Sequence, residues 1–365
     1  MIFHHTTPWK NTFAFCILFY LRDLGLNKSH HGLLHFAEHL IFLETKNLSQ
    51  NKLRKKHALL FDTLTAYTSL DFLDITIVCS RSDFTEVCHI LKEMLYSWKC
   101  NKKQFLESQQ DIINEIKNSL DQPINKAIKA LNKQEFDSST DVIGNVQIIK
   151  SLNFSGLDKI KTVWKQMLDT APQSLLIAGP KLTAAEIKII DKLFDRKKHS
   201  KPVKLRSPIP ISTQFISRPT VESIVIDTVN SSPFFILLQR IYYIRHLNLN
   251  PDWEFSFTRD TNHLFYAVYK NSKSNLDKKQ SKKLLFDKPT KKEFTFVQDI
   301  VTKQIDSLTD GINPQEILGW LDIFHIRNIP EFQGKTFSQI RKIYSTFSYN
   351  QFLLQWEKIF KNLKA

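Results

Sequence analysis

Apolar residues fall along this chain in patterns that each predict an element. Residues 13–21, FAFCILFYL, run apolar without a break and end at the charged pair Arg22 and Asp23. A run this short predicts a buried strand. It cannot cross a bilayer as a helix, and no small-residue cleavage site follows it, so neither a membrane span nor a signal-peptide core is expected. In HGLLHFAEHLIF, residues 31–42, the apolar Leu33, Leu34, Phe36, Leu40, Ile41 and Phe42 predict a buried helix that follows the strand. LTAYTSLDFLDITIVC, residues 64–79, alternates and is rich in β-branched residues, which predicts a strand. Beyond Lys102 a longer segment places Phe105, Ile112, Ile113, Ile116 and Leu120 at helical intervals, with Pro123 after them as a stop.

The polar residues that interrupt the first helix carry the candidate chemistry. His35 and His39 are four apart, about 40° around a helix axis and roughly 6 Å along it, so both project from one face and can share a metal ion. Glu38 sits one residue off that pair, where its carboxylate can approach the open side of the metal as a general base. The pattern is H-x-x-E-H, the inverse of the H-E-x-x-H motif of zinc peptidases. In a chain with twelve histidines such a pattern can arise by accident, but three polar groups on an apolar helix each need a partner. A zinc site needs a third protein ligand. Glu115, beside the apolar stripe of the later helix, is the candidate.

Here the residues resemble a family. HHGLLHFAEHLIFLET is similar to the Gly-x-x-His-Phe-x-Glu-His block of the pitrilysin family of zinc peptidases, which includes insulin-degrading enzyme and the mitochondrial processing peptidase. NEIKNSLDQP is similar to the context of the family's ligand glutamate, which follows the histidines by about 75 positions. The resemblance implies one Zn²⁺ per chain on His35, His39 and Glu115, and attack on a peptide bond by a zinc-bound water with Glu38 as base. It also implies an α+β fold of two similar α/β sandwich domains, each a mixed, largely antiparallel sheet flanked by helices. In the family an extended substrate is added along the strand that resembles LTAYTSLDFLDITIVC, so Thr65, Ala66 and Thr68 are the expected substrate contacts. Thr65 stands where relatives usually carry asparagine. Relatives also carry an organising glutamate seven residues before the metal-binding one; here that position is Ser108, and Glu107 is either its substitute or a solvated surface residue. An arginine and a tyrosine seven apart in a later domain stabilise the oxyanion in relatives, and TRDTNHLFYAVYK offers Arg259 and Tyr266, with His263 in place of the usual glycine.

Length and charge extend the picture. The chain has 365 residues, 42% of them hydrophobic, enough for two domains. RKKHSKPVKLRSPIPIS, residues 196–212, is basic, carries Pro202, Pro208 and Pro210, and reads as a linker between a zinc-binding domain over 1–195 and a shorter second domain over 213–365. The four cysteines lack the spacing of a thiolate zinc site or a disulfide framework; reduced thiols and a cytoplasmic location are expected. The net charge of +15 comes without a nucleic-acid motif or aromatic platform, so nucleic acid is not an expected partner. The lysine runs are solvated faces or a field that favours acidic peptides.

Two functions follow. The first is a zinc endopeptidase for short or unfolded peptides, such as a leader or pheromone peptide, working as a homodimer or as a heterodimer with a related chain. The second is a non-catalytic peptide-binding or assembly subunit of a heteromeric peptidase.

Overall fold

The computed structural model describes residues 2–21, 24–26, 30, 32–61, 63–69, 72–121, 144–193, 214–218, 221–227, 232–247, 253–259, 263–270, 277–309, 314–321, 332 and 335–360. The chain divides into two compact units: Met1–Ser119 with Ser138–Lys204 and Gly311–Asp322, and Leu120–Asp137 with Leu205–Asp310 and Ile323–Ala365. The expected linker 196–212 and the helix stop at Pro123 lie outside the described residues.

The first unit is built on a five-stranded sheet. Its strands are β1 (Ile2–Thr6), β2 (Thr12–Tyr20), β3 (Thr63–Thr68), β4 (Phe72–Ser80) and β5 (Gln173–Gly179), in the spatial order β1-β5-β2-β4-β3. β1 runs parallel to β5 and the other pairings are antiparallel, so the sheet is mixed and largely antiparallel, as expected. β2 is the unbroken apolar run. It lies between β4 and β5 and is buried on both faces from Phe13 to Tyr20, because helices cover both sides. One cover, the helix Pro314–Leu321, comes from far along the chain and packs on β2 and β5 through a segment that buries Ile317, Leu318, Trp320 and Leu321.

The segment 64–79, expected as one strand, is a hairpin. The Ser69 N–H donates to the Phe72 carbonyl at 2.7 Å, and Ser69 Oγ accepts from the Phe72 N–H at 3.1 Å. Alternation continues through both arms, so its period does not mark the turn. Among the described residues β3 pairs with β4 alone and forms an edge of the sheet.

Four helices follow in order through this unit: α1 (Leu33–Ile41), α2 (Gln50–Leu60), α3 (Phe84–Tyr96) and α4 (Lys102–Asp121). α4 buries Phe105, Ile112, Ile113 and Ile116 of the predicted stripe, and the side chain of Leu120 lies outside the described residues. The helix Leu157–Thr170 packs on α1 and is tied to α3 where the Trp164 indole N–H donates to the Leu95 carbonyl at 2.8 Å. The second unit has an antiparallel sheet of β6 (Gln214–Arg218), β7 (Val221–Asp227), β8 (Trp253–Arg259) and β9 (His263–Lys270), in the order β6-β7-β9-β8, and helices that include Ser232–Leu247 and Lys291–Thr309. No described helix is long and apolar enough to cross a membrane.

Ile17 is fully buried on β2, opposite Ile75 on one side and Leu175 on the other. Ile17→Ala should cost about 2–5 kcal/mol of stability, measured by chemical denaturation. A change under about 0.5 kcal/mol, the range of a surface substitution, would contradict the central place of β2.

Candidate metal centre

α1 begins at Gly32, whose φ of 81° is left-handed and favours glycine. A Cβ there would lie 2.7 Å from the Gly144 Cα, and Gly144 is itself left-handed at φ 114°. Two backbones therefore meet without side chains at the N-terminus of α1. From that start Leu33, Leu34, Phe36, Ala37, Leu40 and Ile41 are buried, while Phe42 caps the helix and is partly exposed. His35 and Glu38 are buried among them, and His39 is half-buried.

Phe36 joins α1 to α4 through a tilted ring contact with Phe105, centroids 4.8 Å apart. Gln109 holds the next turn of α4, donating to the carbonyls of Ile149 and Leu152 at 2.7 Å each. This packing brings Glu115, whose side chain is 54% exposed, over the histidine pair.

Three atoms meet there. His35 Nε2 and His39 Nε2 are 3.3 Å apart, and Glu115 Oε2 lies 3.5 Å from the first and 3.3 Å from the second. A tetrahedral zinc with bonds of about 2.0–2.1 Å needs ligand atoms about 3.3–3.4 Å apart. The triangle therefore has the edge lengths of one face of a zinc tetrahedron, and two imidazoles with a carboxylate leave a fourth position open. Among the described residues this is the one group of histidine, cysteine and carboxylate side chains that could hold a metal ion. Burial lowers the pKa of His39, helped by the neighbouring His35 and opposed by Glu38, Glu115 and Asp111. The lowered value favours the neutral ring that a metal requires.

Glu38 stands beside this triangle, and its Oε2 accepts a 2.6 Å hydrogen bond from Thr68 Oγ1. Both groups are buried, Thr68 to 3% exposure and Glu38 to 9%. Thr68, expected as a substrate contact, thus turns inward and holds the carboxylate. Thr65 on the same edge strand is exposed and Ala66 is partly so.

The remaining expected residues are placed elsewhere. Glu107 is not brought to the histidines: its side chain is 59% exposed and pairs with Lys103 at 3.8 Å, about 12 Å along α4 from Glu115. Eight residues overshoot two helical turns, so the inward position is the buried Ser108. Arg259 ends β8 and Tyr266 lies on β9, which opens at His263. Arg259 is opposite Leu264, so Arg259 and Tyr266 are diagonal neighbours on one sheet face. Their side chains lie outside the described residues. The Thr68 bond to Glu38 and the meeting of Gly32 with Gly144 were not anticipated, since neither contact is local in sequence.

Residues 26–141 match the insulinase family, peptidase family M16. This segment is an insulinase-family domain. The whole chain superposes on a protease from Helicobacter pylori with a TM-score of 0.66 and 13% identity, covering 96% of this chain and 94% of that one. It is also similar to a conserved protein from Enterococcus faecalis V583, with a TM-score of 0.65 and 12% identity over 94% and 93% of the two chains. Against the periplasmic protease PqqL of Escherichia coli the TM-score is 0.67 at 12% identity, covering 99% of this chain and 45% of PqqL. No curated protein sequence matches. At these identities the superpositions establish a shared fold, and the M16 match covers residues 26–141. The match and the shared fold support a peptidase or a peptidase-like subunit.

Gly32→Ala in the M16 domain should strain the start of α1 and displace His35. We expect weaker zinc binding and a lower melting temperature, by calorimetric titration and thermal denaturation. Unchanged values for both would show that the Gly32–Gly144 approach does not hold the ligand helix.

Proposed function

We propose that the protein is a zinc metallo-endopeptidase acting on short or unfolded peptides. The observation that carries this reading is the triangle of His35 Nε2, His39 Nε2 and Glu115 Oε2, whose edges match the ligand spacing of zinc. Zinc bound there supplies Lewis acidity, polarising a peptide carbonyl and making water a stronger acid. Glu38 takes a proton from the attacking water and passes it to the departing amide nitrogen. It uses Oε1, because Oε2 is engaged by Thr68.

An extended peptide joins the sheet at β3 through main-chain hydrogen bonds, beside Thr65 and Ala66. Such binding is largely blind to sequence and suits many peptides, a leader or pheromone peptide among them. In an active unit of two chains, Arg259 and Tyr266 of one chain would donate to the oxyanion formed at the metal site of the other. The chain spans 45% of PqqL, and a structure of the first half of that protease superposes on 99% of this chain. These lengths support an active unit of two chains, either two copies of this one or this one with a relative. The four cysteines lack the spacing of a disulfide framework, and a reducing, cytoplasmic setting is part of this reading.

Glu38→Gln tests the reading. The amide keeps the bulk of the side chain but cannot take up the proton, so zinc content should stay near one per chain while peptide cleavage falls at least about 10²–10⁴-fold. Near-normal turnover at full zinc occupancy would remove Glu38 as the base.

A further inference from the structure

A general base must present one oxygen to water at a fixed angle. A glutamate side chain has three rotatable bonds, so burial alone does not aim it. In this protein the aim comes from the sheet. Thr68 is the last residue of β3, and its position is fixed by pairing with Leu73 of β4. Its β-branched side chain has few χ1 choices. From that fixed point Oγ1 donates to Glu38 Oε2 at 2.6 Å, in a bond buried at both ends and closed over thirty residues of chain.

We propose that Thr68 is a positioning residue: its hydroxyl locks the Glu38 carboxylate so that Oε1 faces the open side of the metal triangle. The inference rests on the peptidase reading. Its consequence is that one strand does two jobs. The edge of β3 receives the peptide backbone, and the end of β3 sets the base that acts on it. A purely structural hydroxyl would serve stability and leave turnover per bound substrate intact. A positioning hydroxyl governs turnover.

Three proteins tested with zinc and a peptide substrate separate these cases: wild type, Thr68→Val and Thr68→Ser. Valine keeps the shape and removes the donor, whereas serine keeps the donor. We expect Thr68→Val to lose about 10- to 100-fold in kcat with KM within about two-fold and zinc content unchanged, as misplacement of a reacting group by about 1 Å would give. Thr68→Ser should recover most of the loss. A second readout uses the metal-free proteins. Thr68→Val should lower the melting temperature when Glu38 is present and should lower it far less in a Glu38→Leu background, where no carboxylate awaits the hydroxyl.

Wild-type kcat in Thr68→Val, a loss confined to KM, a serine variant as damaged as the valine one, or equal melting shifts in both backgrounds would each overturn the proposal. A wild-type chain that binds zinc and cuts no peptide would fail differently: it removes the peptidase reading and the proposal with it.

Discussion

Two imidazole nitrogens and a carboxylate oxygen held within 3.5 Å of one another form an arrangement that a protein core does not favour without cause. His35 gives up water and His39 most of it, and a cation satisfies all three lone pairs together. Most of the first unit can be understood as the means of keeping them there. The paired glycines set where α1 starts, the Phe36–Phe105 contact sets its distance from α4, and Gln109 anchors α4 to the segment behind it. β2, buried on both faces, is the middle strand of the sheet that α1 meets at β3.

The same unit places an open strand edge next to the site. What distinguishes β3 is its end. Thr65 faces solvent while Thr68 turns into the core and reaches Glu38.

How much of this was legible in the sequence depended on the range of the interaction. The histidine pair and Glu38 lie within one turn and a half of helix, and local spacing alone places them on neighbouring faces. Glu115 was legible as a polar residue beside an apolar stripe, in a context that resembles a known ligand helix. β2 was legible because burial on both faces leaves an unbroken apolar run. The hairpin at Ser69 was not, because alternation has the same period in both arms. Glu107, open in the sequence between a substitute and a solvated residue, is exposed, because eight residues rotate the side chain about 80° past the starting face. Thr68 was read as facing substrate, and only the three-dimensional approach of α1 to β3 shows which way its hydroxyl turns.

The central claim is that His35, His39 and Glu115 form a ready-made zinc face. X-ray absorption at the zinc edge of the loaded protein tests it most directly. The account predicts a single shell of about four nitrogen and oxygen neighbours near 2.0–2.1 Å, with the outer-shell signal of two imidazoles, one of which is lost in His39→Ala. A shell containing sulfur near about 2.3 Å, or a spectrum unchanged by His39→Ala, would contradict it.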